Sequence, residues 1–367
     1  MAERWILQFC HCHYGPFLDV ARQYAALFKG SQYKVLTVYL TGEPSDEAKA
    51  GSASDEVIFL NFSSKAVGGL KIAAIRALKR IAASRDFALV IAHRAKPIYI
   101  ACLATKLPVI GVHHAFGDYK RASRRWFANA FRSRLSLLAV SNAVRDDIRR
   151  QLPNWPTEKI ETLHNRLDVD AVQAEIAPRA SARTALGLPP DVPVIGNVGR
   201  LHPDKDQTTL LAGFAAALPR LPAGTLLAIA GSGPLDCALK AQAASLGIAD
   251  RIHFLGQVPD VRRLFSAFDL FVLSSDHEPF GMVLLEAMAA GVPVMATNCG
   301  GAPEVIADLA RLFPLRDVAA LADKLVVFFA SAHEVSNDLA RLRDGFSDDA
   351  ARQRFFSLPM VKMGLAA

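Results

Sequence analysis

The chain has 367 residues, of which 51% are hydrophobic and 21% charged, and its net charge is +7. This length predicts two domains, and the composition excludes a disordered or fibrous protein. No apolar run approaches the roughly 18 residues of a membrane-spanning helix, and no signal-peptide pattern opens the chain. Together with five scattered cysteines, these features predict a cytoplasmic protein with reduced thiols.

Positive charge is concentrated in the first half of the chain. Residues 1–171 carry 25 Lys and Arg against 15 Asp and Glu, whereas the remainder carries 17 against 20. The densest stretch, Lys120–Arg134 (KRASRRWFANAFRSR), has six basic residues, no acid and three aromatics. One interpretation is a helix with aromatics on the core and arginines in water. The other is a surface for an anionic membrane or acceptor, and nucleic acid is not expected. The candidate residues of that surface are Lys120, Arg121, Arg124 and Arg125.

Short β-rich runs alternate with helical patterns through the first half. The predicted strands are Trp5–Cys10, Val35–Leu40, Val57–Leu60, Ala88–Ala92, Val109–Val112 and Leu137–Val140. The predicted helices include Phe17–Phe28, Leu70–Ala83 and Asn142–Gln151, the last with Ser141 as its N-cap.

The first predicted strand runs into an unusual stretch, Cys10-His11-Cys12-His13. Zinc sites usually space their cysteines by two to four residues, but here the spacing is one, and no second Cys/His cluster or C-x-x-C motif occurs. Successive strand side chains point to opposite faces, so we expect Cys10 and Cys12 to be packing residues at the strand end.

Strands resume after a mixed segment. Residues 169–190, with three prolines, predict a linker containing a short helix. The next predicted strands are Val194–Val198, Leu226–Ala230, Ile252–Leu255, Leu270–Leu273 and Val294–Thr297. Helices are predicted to begin at Gln207, Pro234, Val261 and Phe280, and another to span about Val318–Ala330.

Repeated βα units predict parallel sheets covered by helices on both faces. Two such blocks predict an α/β fold of two Rossmann-like domains facing across a cleft. We expect a first domain at 1–168, the linker at 169–190, a second domain at 191–347 and a segment at 348–367 that packs back on the first domain. Ligands of such sheets bind beyond the carboxyl ends of the strands.

The segment Ser275–Ile306 carries the strongest chemical signal. A strand ends near Leu273, a polar loop brings Glu278, and Phe280-Gly281-Met282 opens a helix that contains Glu286. A helix start offers free N–H groups to a phosphate, and a glycine permits its close approach. Carboxylates near it are suited to sugar hydroxyls, so the segment predicts a nucleotide-sugar site rather than solvated glutamates.

Two further segments support this prediction. In Gly196–Asp206 (GNVGRLHPDKD), Arg200 and Lys205 follow a strand end and could neutralise a diphosphate leaving group. In Ala228–Leu235 (AIAGSGPL), Gly231 opens a tight turn that could line the nucleotide pocket, although the G-x-G-x-x-G fingerprint is not met.

Taken together, the segments resemble the retaining glycosyltransferases of family 4, which have the GT-B fold. This resemblance implies that the domain at 1–168 binds the acceptor and the domain at 191–347 the nucleotide sugar. The residues that carry the resemblance are Gly199-Arg200-Leu201 with Lys205, Gly231-x-Gly233-Pro234, Glu278-Pro279-Phe280-Gly281 through Glu286, and Gly300-Gly301-x-Pro303-Glu304. The first half is similar more loosely, with Arg166 where the family usually has glycine.

The resemblance implies a role for each matching residue of the second half. Arg200 and Lys205 would bind the donor diphosphate, and residues 280–282 would offer backbone N–H groups near the phosphate and sugar. Glu278 would hold donor-sugar hydroxyls, and Glu286 the ribose. It also implies no metal or other cofactor, and D-x-D matches at 168–170 and 204–206 are taken as formal only.

In the first half, the resemblance implies that a strand-end histidine faces the transferring sugar. His114 is favoured and His113 remains open. Gly15 would let the chain approach the diphosphate. The implied reaction is transfer with retention at the anomeric carbon, by a front-face route that the leaving phosphate assists.

The layout also resembles bacterial enzymes that build the lipopolysaccharide core. This implies an anionic lipid-linked saccharide acceptor and peripheral association with the inner face of the cytoplasmic membrane. For the donor, UDP is expected ahead of GDP and ADP, and glucose ahead of other sugars. Two alternatives are another GT-B enzyme, such as a nucleotide-sugar 2-epimerase, and a non-catalytic nucleotide- or carbohydrate-binding protein.

Overall fold

A computed structural model describes residues 3–331 and 338–366 of the protein. Residues 1–2, 332–337 and 367, which the predicted domain ranges include, lie outside the described part. Contacts divide the chain into an N-terminal unit, Met1–Arg166 with Asp348–Ala367, and a C-terminal unit, Leu167–Ser347. Each unit is an α/β domain with its own sheet and core.

The N-terminal unit is built on a parallel seven-stranded sheet in the order 3-2-1-4-5-6-7. Its strands are β1 Arg4–Cys10, β2 Tyr33–Tyr39, β3 Glu56–Phe59, β4 Phe87–His93, β5 Val109–His113, β6 Leu135–Ala139 and β7 Ile160–Thr162. The interior strand β1 reads RWILQFC and is buried from its second residue onward, as expected for a strand covered on both faces.

Helices connect these strands. They are α1 Pro16–Ala26, α2 Asp46–Gly51, α3 Ile72–Ala82, α4 Ala95–Ala104, α5 Ala122–Ala130 and α6 Asn142–Gln151. The predicted cap of α6 is confirmed, because the Ser141 hydroxyl accepts a hydrogen bond from the Val144 N–H at 3.1 Å.

The C-terminal unit has a parallel six-stranded sheet, in which the order of its own strands is 3-2-1-4-5-6. They are β8 Val194–Val198, β9 Leu226–Ala230, β10 Ile252–Gly256, β11 Leu270–Leu273, β12 Val294–Thr297 and β13 Leu312–Phe313. Here β8 lies beside β11, which makes the carboxyl ends of these two strands the topological switch point, where open α/β sheets bind ligands.

The helices of this unit complete its two covering layers. They are α7 Val169–Glu175, α8 Arg179–Ala185, α9 Gln207–Ala217, α10 Asp236–Ser245, α11 Met282–Ala289, α12 Ala302–Val305, α13 Val318–Ala330 and α14 Asp338–Phe346. The predicted linker thus contains two short helices instead of one. The helix predicted from Val261 is a 3₁₀ helix, Val261–Ala267, and not an α-helix.

The chain then returns to the N-terminal unit as α15 Asp348–Ser357 and α16 Pro359–Ala366. Phe355, Leu358 and Val361 are buried with Phe28 and Leu89 in one apolar cluster. The buried Arg166, at the position where the resemblance leads one to expect glycine, donates from Nε to Asp348 Oδ1 at 2.9 Å. This ion pair fixes the start of α15 where the chain re-enters the unit.

Across the described ranges, no helix is both long and apolar enough to span a bilayer.

Candidate functional site

The switch point of the C-terminal sheet brings two predicted site residues into contact. Lys205 follows β8 and Glu278 follows β11, and Lys205 Nζ donates to Glu278 Oε2 at 2.8 Å. Ser275 Oγ donates to the same oxygen at 3.1 Å. The side chains of Lys205 and Glu278 are only 20% and 10% exposed. A largely buried cation and carboxylate therefore sit together at the edge of the sheet.

Arg200 lies on the same loop as Lys205 but turns towards solvent. Its side chain is 68% exposed, and Nη2 contacts Asp204 Oδ2 at 3.1 Å. Because an exposed pair of this kind contributes little energy, the guanidinium can exchange Asp204 for an anionic ligand at small cost. Asp204 also contacts His202 Nδ1 at 2.5 Å.

Helix α11 begins immediately after the Glu278 loop. Gly281 is its N-cap with φ 102°, and neither a side-chain cap nor an acidic residue occupies the first turn. The first N–H groups of the helix, beginning at Met282, are thus available to an anion. Phe280 is buried beneath this turn, and Glu286 is half-buried in the second turn.

Glycines hold the strand-end loops of this site in close contact. A Cβ at Gly231 would overlap the carbonyl oxygen of Gly199, and a Cβ at Gly300 would overlap that of Glu278. The Gly301 N–H donates to the Glu278 carbonyl at 2.9 Å. Hence the loop after β8 keeps its position only if Gly231 lacks a side chain, and the Glu278 loop only if Gly300 does.

In the N-terminal unit, β1 ends at the Cys-His stretch. Cys10 and Cys12 are buried, as predicted, and burial raises the pKa of the Cys10 thiol to about 12. His13 Nε2 contacts the Glu43 carbonyl at 3.0 Å. Gly15 is the N-cap of α1 with φ 56° and has open space around it. Within residues 3–331 and 338–366, no group of three or more His, Cys, Asp or Glu side chains is arranged to hold a metal.

The two candidate histidines at the end of β5 have different surroundings. His113 is buried, with Nδ1 2.7 Å from Asp118 Oδ2 and Nε2 3.2 Å from the Tyr119 hydroxyl. His114 is partly exposed and places Nε2 3.3 Å from His93 Nδ1. Since both ring nitrogens of His113 have partners inside the fold, the geometry favours His114 as the residue that meets a ligand.

The titration of His114 follows from these surroundings. Burial, followed by the charges of His113 and Arg94, lowers the pKa of His114 to about 3. Its imidazole is therefore neutral near pH 7 and can donate or accept a hydrogen bond without carrying charge.

The basic stretch forms α5 and its flanks, but its aromatic residues do not all face the core. Trp126 is 74% exposed, which contradicts the simple amphipathic interpretation at that position. Arg124 pairs with Asp118 at 2.8 Å, and Arg125 donates to the Tyr119 and Lys120 carbonyls. Lys120 and Arg121 remain exposed.

The predicted site residues thus fall into two groups. Those in the C-terminal unit are Arg200, Lys205, Gly231, Glu278, Phe280, Gly281, Met282 and Glu286, and those in the N-terminal unit are Gly15, His114, Lys120, Arg121, Arg124 and Arg125. Sequence reasoning missed Ser275, which supports Glu278, and Asp118, which holds His113. Asp118 lies five residues beyond the strand-end histidine, and a search for carboxylates near that end could have found it.

Two family models match consecutive parts of the chain. The model "Glycosyltransferase Family 4" matches residues 17–171, and "Glycosyl transferases group 1" matches residues 178–340. Between them they account for most of both units.

Individual relatives match shorter stretches. The D-inositol 3-phosphate glycosyltransferase of Rhodococcus jostii (strain RHA1) is 41% identical over 150 residues, 37% of this chain and 33% of the relative. The lipopolysaccharide core biosynthesis mannosyltransferase LpsB of Rhizobium meliloti (strain 1021) is 33% identical over 181 residues, 46% of this chain and 52% of the relative. The match therefore spans a third to about half of these curated relatives.

Similarity of fold extends over nearly the whole chain. Anabaena HepE, solved in complex with UDP and glucose, aligns with a TM-score of 0.75 and 20% identity over 97% of this chain and 99% of that chain. At this identity the likeness concerns the fold.

Proposed function

Because the chain belongs to the family 4 glycosyltransferases and has their GT-B type of fold, we propose that it transfers a hexose with retention from a nucleotide sugar to a saccharide hydroxyl. The donor is UDP-glucose as first choice, and the acceptor is a lipid-linked saccharide such as the lipopolysaccharide core. The relatives support this choice, since one is named for core biosynthesis and a structural neighbour holds UDP and glucose.

The contact between Lys205 and Glu278 carries the proposal. It joins a cation suited to diphosphate and a carboxylate suited to sugar hydroxyls at the switch point of the sheet, beside the uncapped start of α11. In the proposed complex Lys205 turns to the diphosphate with Arg200, and Glu278 accepts hydrogen bonds from the sugar. Because each residue then contacts the donor, neither Lys205 nor Glu278 becomes an uncompensated buried charge when their own contact breaks.

The chemistry follows from where charge develops. The bond between the anomeric carbon and the diphosphate oxygen breaks, and its electron pair stays on the phosphate. Lys205, Arg200 and the N–H groups of residues 281–282 stabilise that negative charge. The acceptor oxygen attacks the anomeric carbon from the face that the phosphate leaves, and its proton passes to the departing phosphate oxygen. The configuration is therefore retained, and His114 offers a neutral hydrogen-bonding group near the sugar.

We propose that side-chain cations, rather than a divalent metal, neutralise the diphosphate. The carboxylates of the two D-x-D matches have structural partners: Asp168 caps α7, Asp170 contacts Arg343, Asp204 contacts His202 and Asp206 caps α9. Transfer in the presence of excess EDTA should accordingly proceed at the untreated rate.

Transfer itself is the test. The purified chain is incubated with UDP-[¹⁴C]glucose and a lipid-linked core saccharide, and label is counted in the lipid extract. We expect labelled product with the anomeric configuration of the donor, as read by NMR. Label that appears only in free glucose, or product of inverted configuration, would contradict the proposal.

A further inference from the structure

A cavity of about 440 Å³ lies within the N-terminal unit. It is lined by the start of α3, the first turns of α4 and the length of α5, with His113 at the end of β5 on one wall. It is thus adjacent to His114, and all its lining residues belong to the N-terminal unit. The proposed transfer reaction does not use this cavity.

The charges that line this cavity are unbalanced. Lys71, Lys96, Arg121 and Arg124 face one carboxylate, Asp118, among the described lining residues. Asp118 is already engaged, because it contacts Arg124 at 2.8 Å and His113 at 2.7 Å. Within the described ranges, neither Lys96 nor Arg121 forms an ion pair, so the cavity carries an excess of positive charge.

The cations are also close enough to repel one another. Burial and the neighbouring charge of Lys96 lower the pKa of Lys71, whose Nζ donates to the Gly69 carbonyl at 2.6 Å and lies 4.9 Å from the Tyr99 ring centroid. An anion between these lysines would relieve the repulsion and gain charge-assisted hydrogen bonds.

Backbone groups add to the same field. Helices α3, α4 and α5 all begin at the cavity, and none has a side-chain cap or an acidic residue in its first turn. The partial positive charge of these helix starts therefore adds to that of the lining cations.

The remaining wall is aromatic. Trp126 is 74% exposed, and Tyr99 and Phe127 pack with ring centroids 4.8 Å apart. A few charged groups beside an exposed aromatic ring, here Trp126, are typical of a small-molecule pocket. It suits a ligand with one anionic group and one ring of mixed polarity.

From this arrangement we propose that the cavity binds a phosphate-bearing sugar of the acceptor, with Lys71, Lys96 and Arg121 on the phosphate and Trp126 against the ring. The inference rests on the proposed function, since it names the part of the acceptor that the N-terminal unit recognises.

Calorimetric titration with glucose 6-phosphate tests the proposal. The cavity variant is Lys96→Glu/Arg121→Glu, and the control is Lys79→Glu/Arg80→Glu, an equal charge change at the exposed far end of α3. We expect wild type and control to bind alike and the cavity variant at least tenfold more weakly. Glucose alone should bind at least tenfold more weakly than its phosphate, and Trp126→Ala should weaken glucose 6-phosphate while leaving inorganic phosphate unchanged.

Two results would overturn the inference. One is equal binding of glucose 6-phosphate by the cavity and control variants, or none by wild type. The other is binding of anionic phosphatidylglycerol vesicles, lost in the cavity variant, without binding of the sugar phosphate, which would make the cavity a lipid-headgroup site. UDP titration of the same proteins separates the two proposals, because failure of UDP binding contradicts the donor site and leaves the sugar-phosphate result standing.

Discussion

Glu278 and Lys205 lie 73 positions apart and share a hydrogen bond of 2.8 Å. The sequence predicts a role for each of them, since each follows a strand end. Their contact depends on β8 being the neighbour of β11, and strand order cannot be deduced from local residue patterns. For the same reason, the roles of Ser275 and Asp118 could not be predicted from the sequence, since both depend on partners that only the folded chain brings close.

Glu278→Gln should lower transfer about 100-fold or more, because it removes a charged acceptor aimed at the sugar. Binding of UDP, which lacks the sugar, should change by only a few-fold. Initial rates and UDP calorimetry on the same preparation measure both effects. An unchanged transfer rate would show that Glu278 is not part of the donor site.

His114 makes a prediction about stability and pH. Its pKa is about 3 in the folded state and about 6.5 when unfolded, so the unfolded chain binds more protons between these values. The contribution of His114 to the free energy of unfolding should be greatest above pH 6.5 and fall as the pH drops towards 3.

Urea unfolding of wild type and His114→Asn from pH 4 to 8 checks this expectation. The free energy of unfolding of wild type minus that of the variant should increase as the pH rises to about 6.5. Above that pH the difference should stay constant. Parallel curves across the whole range would contradict a His114 that is neutral in the folded protein.

At the scale of elements, apolar runs predict the strands well. Every strand predicted from the sequence is present, with ends within two residues of the prediction. The predictions missed β7 and β13, which have only three and two residues, because so short a run shows no periodicity. The 3₁₀ helix at Val261 shows a similar limit, since its apolar spacing does not distinguish it from an α-helix.

The loops that hold the site depend on glycine, and Gly300→Ala tests this. A Cβ there would overlap the Glu278 carbonyl, whereas at Gly247, which has a similar positive φ of 69°, it would meet nothing within 4 Å. Gly247→Ala should cost only the left-handed backbone penalty, about 1–2 kcal/mol. Gly300→Ala should cost clearly more and abolish donor binding.

Thermal unfolding and UDP titration of the two glycine variants provide the comparison. Equal losses of stability, with UDP binding intact in both, would mean that the Glu278 loop does not need the close contact.

At the scale of the molecule, the resemblance drawn from a few motifs is confirmed by the two family models that match residues 17–171 and 178–340. The return of α15 and α16 to the N-terminal unit was only hinted at by the sequence. This return packs Phe355, Leu358 and Val361 into the N-terminal core and brings Asp348 to Arg166 across 182 positions, contacts that no local pattern encodes.

The excess positive charge of the first half leads to a membrane prediction. Each cation near an anionic surface contributes about 1 kcal/mol, screened by salt. Because Arg124 and Arg125 bond within the fold, the informative change is Lys120→Glu/Arg132→Glu, both exposed. We expect salt-sensitive sedimentation with phosphatidylglycerol vesicles to be lost in this variant.

The matched control for vesicle binding is Lys240→Glu/Arg251→Glu in the C-terminal unit, which changes the net charge equally. This control should sediment like wild type. Equal loss of vesicle binding in both variants would show that net charge alone causes the binding. Unchanged binding in both variants would contradict the proposed membrane surface.

The central claim is that the C-terminal unit binds a nucleotide sugar through Lys205 and Glu278. A thermal-shift series with UDP, GDP, ADP and their glucose conjugates, on wild type and Lys205→Ala, tests it most directly. A ligand at 100 times its dissociation constant adds about 2.7 kcal/mol to the free energy of unfolding. The account predicts a clear rise in melting temperature for wild type with UDP-glucose and little or none for Lys205→Ala. No shift with any of these nucleotides, or equal shifts in both proteins, would contradict it.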